Sequence, residues 1–83
     1  VSARVAEETR EQAERVAAAA EELKNALHRL SDEAKAAARR AGTKRAQGQN
    51  IAPVIGAFRT VERADEALSI ALYDYDTARG EDG

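Results

Sequence analysis

The chain predicts an all-α fold: an antiparallel two-helix hairpin, assembled into a helical bundle by dimerisation or with a partner. Three observations carry this. Small and apolar residues recur at alternating steps of four and three through Thr9, Ala13, Val16, Ala20, Leu23, Leu27, Leu30, Ala34, Ala37 and Ala41. That spacing keeps one stripe of a helix turned toward a partner. A second stripe follows at Val54, Phe58, Val61, Ala64, Leu68, Ala71, Leu72, Tyr75 and Ala78. Between them lies a polar segment with Gly42 and Gly48, short enough to favour an antiparallel return.

The first helix is expected over about residues 2–41, with Ser2 as its N-cap. Its outward positions carry Arg4, Glu7, Glu8, Glu11, Glu14, Arg15, Glu21 and Glu22. Glu11 and Arg15 stand in the favourable order for a pair four residues apart. Charge runs from acidic in the first half to basic at Lys35, Arg39 and Arg40, which suits the helix dipole. The alanines around Val16, Leu23, Leu27 and Leu30 allow a second backbone to come close. Leu27→Ala is expected to unfold the hairpin, at a cost of about 2–5 kcal/mol.

Gly42 is expected to end this helix and open a loop over 42–50. Asn50 is the expected N-cap of the second helix, about 51–79, with Pro53 tolerated in its first turn. Gly56 either weakens that helix or admits a close neighbour. Gly80 is expected to stop it, leaving 80–83 as a mobile tail. The helix-pairing residues are Val16, Leu23, Leu27, Leu30, Phe58, Val61 and Leu68. Ile70, Leu72, Tyr73 and Tyr75 crowd the end of the second helix on more than one side, and are read as a second interface for a protein partner.

At 83 residues the chain is a single domain, 1–83. Alanine supplies much of its 43% apolar content, so the area available to a core is thin, and association is expected from size alone. There is no cysteine, which excludes disulfides and thiolate metal sites. No apolar run approaches the roughly 20 residues of a membrane span, and no signal-peptide pattern is present. Val1 in place of an initiator Met leaves room for a removed leader. The expected location is the cytoplasm, or outside the cell by a route without a cleavable signal.

The chemistry expected is none: no catalytic residues, no metal ligands, no cofactor and no small-molecule substrate. His28 is a lone histidine on the polar side of the first helix, with no second histidine or cysteine to join it. Adjacent carboxylates such as Glu21 and Glu22 point at different angles from a helix and make ordinary solvated faces. Lys35, Arg39, Arg40, Lys44 and Arg45 form a candidate anion patch, but no aromatic residue interleaves them. A net charge of -2 gives no global case for nucleic acid. Asp74 and Asp76 place negative charge at a helix C-terminus, which Arg4 or Arg10 of an overhanging first helix could relieve.

A cysteine-free pair of long helices joined by a short turn and ending in Tyr73-Asp74-Tyr75-Asp76 resembles the ESAT-like, W-x-G family of type VII secretion substrates. The resemblance is architectural and spans the whole chain. It implies hairpins paired into four-helix bundles and a role as a secreted partner or adaptor. The 42–50 turn holds no Trp, and Val54-Ile55-Gly56 stands nearest to the family's W-x-G. Four residues after Tyr73 is Thr77, and four after Tyr75 is Arg79, where the family's export signal has an acid. The expected function is a non-enzymatic protein-protein interaction module, of the type VII secretion-associated kind. The alternatives are a helical subunit of a larger assembly, phage or capsid-associated or antitoxin-like, and a nucleic-acid binder using the basic loop patch.

Overall fold

A computed structural model describes residues 3–41 and 51–80, with only the backbone described at Ala3 and Val5. Ser2, Gly42, Lys44, Arg45, Gly48, Asn50 and the 81–83 tail lie outside the described residues. Two helices pack against each other: α1, Ala3–Ala41, and α2, Ala52–Gly80. The chain forms a rod 66 Å long and 13 Å across. No strand is present among the described residues.

The register of the pair is set by two grooves. One is lined by Glu22, Asn25, Ala26 and Arg29 from α1 and by Thr60, Arg63, Ala64 and Ala67 from α2. The other brings Glu8 and Gln12 beside Asp74, Thr77 and Ala78. Early α1 therefore meets late α2, and the pair is antiparallel. Ala26 stands level with Ala64 and Gln12 with Ala78, so α1 runs on past the end of α2 at Gly80.

Burial in α1 follows Thr9, Gln12, Val16, Ala19, Leu23, Ala26, Leu30, Glu33 and Ala37, at steps of three and four. In α2 it follows Val54, Ala57, Val61, Ala64, Leu68, Ala71, Tyr75 and Ala78. Both are seven-residue repeats with two inward positions, the pattern of helices packed along their length. Among the described residues the buried side chains are Ala26, Ala57 and Ala64, and Ala57 is 0% exposed. Alanine there lets the two backbones approach at the short end of the roughly 8–10 Å range of helix pairs.

Two of the expected seam residues do not belong to it. Leu27 is 48% exposed and Phe58 51% exposed. The inward places one residue earlier are taken by Ala26 and Ala57. A close helix pair selects the smaller of two neighbouring apolar residues, and the larger one leans out beside the seam. Leu27→Ala should therefore not unfold the hairpin. Gln12, Ala19 and Glu33 hold the inward places expected for Ala13, Ala20 and Ala34, because the seven-residue register through Ala26 carries them there rather than their size.

The helix ends and surface pairs also differ in detail from expectation. The Ile51 carbonyl accepts from the Val54 and Ile55 N–H groups at 2.9 and 3.1 Å, so Ile51 holds the place of N-cap expected for Asn50. Pro53 then falls inside the first turn, where its missing N–H costs nothing. Gly80 is the last residue of α2 rather than the residue beyond it. A Cβ built at Gly56 meets nothing within 4 Å, so this glycine admits no close neighbour. Arg10 pairs with Glu14 at 3.4 Å in place of the expected Glu11–Arg15 pair. Asp76 pairs with Arg79 of its own helix at 3.7 Å, not with Arg4 or Arg10. Both pairs are exposed and contribute little, of the order of 0–1 kcal/mol.

Candidate interaction surface

The seam divides the hairpin into two edges. Residues one step before each seam residue form one edge; residues one step after form the other. The groove at Ala26 and Ala64 shows how the helices share them. Its flanking residues Glu22, Asn25 and Arg29 come one step before seam residues of α1, and Thr60, Arg63 and Ala67 do the same in α2. These positions lie on one side of the hairpin, so the positions that follow the seam lie together on the opposite side.

The two edges differ in chemistry. The first carries mostly charged and polar side chains: Glu22, Asn25 and Arg29 face Thr60 and Arg63 across an open groove of about 410 Å³, with Ala26, Ala64 and Ala67 also lining it. Asp74 and Thr77 continue it toward the far end. The second edge is mostly apolar. From α1 it carries Ala13, Ala17, Ala20, Leu27, Ala34 and Ala38, interrupted by Lys24 and Ser31. From α2 and its cap residue it carries Ile51, Ile55, Phe58 and Leu72, with Glu62, Asp65 and Ser69 between the last two. All of these side chains are exposed. Ile51, Ile55 and Phe58 are separated by steps of four and three, so they stack along one side of a single helix.

The sequence-predicted residues sort onto this frame. Val16, Leu23, Leu30, Val61 and Leu68 are half-buried along the seam. Leu27 and Phe58 belong to the apolar edge. The expected partner interface does not form a single surface. Tyr75 is half-buried in the seam, Leu72 is on the apolar edge, and Ile70 is on the polar edge. Tyr73, 73% exposed, points outward from the hairpin. Side chains so close in sequence fan around a helix at about 100° per residue, and that separates these four. Ile51 and Ile55 complete the patch around Phe58. Their four-residue spacing ahead of Phe58 was the signal that could have found them.

Lys35, Arg39 and Arg40 are exposed in the last turns of α1, the described part of the expected anion patch. A basic last turn is the end a helix dipole favours. His28 is exposed on the outer side of α1, beside Lys24, Leu27 and Ser31. Among the described residues no group of histidines and carboxylates has the grouping that could hold a metal ion. No helix among them is long and apolar enough to cross a membrane. Among the described residues the buried side-chain polar atoms without a partner are the Thr9 hydroxyl and the Gln12 side-chain carbonyl, both at the seam near the end of α2.

In comparison with known proteins, no family model matches the chain, and no curated protein or solved structure matches it significantly.

Proposed function

We propose that the hairpin is a non-enzymatic protein-protein interaction module that binds through its apolar edge. The observation that carries this is the asymmetry of the two edges. Leu27, Ile51, Ile55, Phe58 and Leu72 are large, exposed and placed on the same side, while the opposite side exposes the large aliphatic Ile70 among Glu22, Asn25, Arg29, Thr60 and Arg63. Ile51, Ile55 and Phe58 stack together with Leu27 about a turn further along, and a clustered apolar patch rimmed by polar residues marks an association site more often than scattered exposed residues do. Among the described residues the buried side chains of the seam are three alanines, so it has little else to hold it together.

The resemblance to the ESAT-like family specifies this class further, as a type VII secretion-associated helical partner. Two long paired helices support it, and the chain lacks the W-x-G turn and the acid four residues after Tyr73 or Tyr75. Loss of export on disabling that machinery in the producing cell is the expected result. Unchanged export removes this specific form and leaves the general one.

The test of the general reading is the size of the species that carries the chain in an extract of the producing cell. The wild type is expected to migrate as a complex larger than one chain. Leu27→Asp with Phe58→Asp should reduce it to a single chain, and Ala67→Asp on the polar edge should not. A wild type that migrates as one chain, or a complex indifferent to Leu27 and Phe58, overturns the proposal.

A further inference from the structure

We infer that the partner covering the apolar edge is a second copy of this chain, related by a twofold axis along the helices, so that α1 of each copy lies on α2 of the other. This rests on the reading of that edge as an association face and adds the occupant and its arrangement.

Three features of the molecule support a second copy. The first is area. The chain exposes 6407 Å². A compact monomer of its mass exposes about 4,800 Å², an excess of roughly 1,600 Å². A standard interface needs about 800 Å² from each partner. The excess is sufficient for such an interface, which a twofold dimer draws equally from both chains.

The second is shape. On the apolar edge α1 contributes small apolar side chains apart from Leu27, and the other large apolar ones, Ile51, Ile55, Phe58 and Leu72, lie along α2 and its cap. The register set by Ala26 with Ala64 and Gln12 with Ala78 can be carried along the rod. Within about a residue, Ala34 is level with Ile55, Ala38 with Ile51, Ser31 with Phe58 and Ala17 with Leu72. A twofold axis parallel to the helices keeps these levels and lays α1 over the partner's α2. Each large side chain of α2 then meets a small one across the interface, and Leu27 lies at the level of Glu62. An axis perpendicular to the helices would instead set alanine on alanine and large residues on large ones. Interdigitation of large with small is how helix surfaces reach native packing density.

The third is charge. Beyond Arg10, Lys24 is the one charged residue of α1 on this edge, and it is exposed. Its level on α2 is that of Asp65, and Glu62 lies one turn away on the same edge. In the proposed arrangement Lys24 faces the acids of the other copy twice, once on each side of the axis. The edge is complementary to itself, as a twofold interface requires.

Complementation between variants tests this directly. The samples are the wild type, Lys24→Glu, Glu62→Lys with Asp65→Lys, and an equal mixture of the two variants, followed by sedimentation equilibrium with circular dichroism to confirm helicity. The wild type is expected to be a dimer. Each variant alone places like charges opposite one another twice, and its dimer should weaken about tenfold. The mixture should regain the wild-type affinity, because one contact is reversed and the other is native. Charge effects confined to one hairpin cannot produce that rescue. A wild type that stays at the mass of one chain to about millimolar concentration overturns the second copy. A dimer without rescue in the mixture overturns the arrangement of α1 on α2. In either case the edge itself is judged separately, by Leu27→Asp with Phe58→Asp in the cell extract.

Discussion

The two edges of this hairpin are built on the same backbone, one residue apart in the repeat, and they differ in almost everything else. The polar edge presents Glu22, Asn25, Arg29, Thr60 and Arg63 around an open groove. The apolar edge presents Leu27, Ile51, Ile55, Phe58 and Leu72 beside a row of alanines. The seam is common to both, so fold stability alone does not explain the difference. Water suits the first edge as it stands; the second leaves apolar area exposed that the hairpin has no further element to cover.

The most severe way to break this comparison is to open the seam itself. Ala64→Leu inserts three carbons where the helices are closest, and should destabilise the hairpin by about 1–3 kcal/mol. Thermal unfolding followed by circular dichroism measures it. Next comes Leu23→Ala, half-buried in the seam, with an expected loss of about 2 kcal/mol. Its counterpart Leu27→Ala should cost less than half of that in the dilute hairpin. Equal losses for Leu23 and Leu27 would put both in the seam and erase the distinction between seam and edge.

Smaller effects sharpen the picture. Gln12 sits in the seam with its side-chain carbonyl buried and without a partner among the described residues. Gln12→Leu should add about 1 kcal/mol, since a buried acceptor left unmade is a penalty that an apolar side chain removes. Gly56 is on the polar edge with open space where a Cβ would go. Gly56→Ala should stabilise α2 by up to about 1 kcal/mol without changing the mass in solution. Arg63→Ala, also on the polar edge, should shift stability by less than about 0.5 kcal/mol. A change in mass from either would mean that the polar edge also binds.

The helices and most of the seam were legible in the residues. Val16, Leu23, Leu30, Val61 and Leu68 recur at intervals of seven and are half-buried in the structure. In α1 the other half of the seam was displaced by one residue; in α2 Ala64, Ala71 and Ala78 fall where the stripe places them and only Phe58 stands in place of Ala57. Steps of four then three and steps of three then four both keep a stripe on one face. The choice between Leu27 and Ala26 turns on how close the partner helix comes. Ranking residues by hydrophobicity selects Leu27 and Phe58, and close packing selects Ala26 and Ala57. The candidate interface depended on the same choice. Only after the seam is placed do Leu27, Phe58, Ile51 and Ile55 fall on one side, and only then do Ile70, Leu72, Tyr73 and Tyr75 separate. A cluster in sequence near Tyr73 suggested a patch that a helix cannot form from such near neighbours.

The unbroken seven-residue repeat has a geometric consequence for whatever covers the apolar edge. A repeat of 3.5 residues per turn on a helix of 3.6 makes the seam drift, and the pair winds around itself with a left hand. With a pitch of roughly 150 Å, the 43 Å or so of α2 carries the edge through about 100°. The apolar strip is therefore a spiral ramp, not a plane. A flat surface or a straight isolated helix can follow it for only part of its length. A body wound with the same hand and the same pitch can follow it from Ile51 to Leu72.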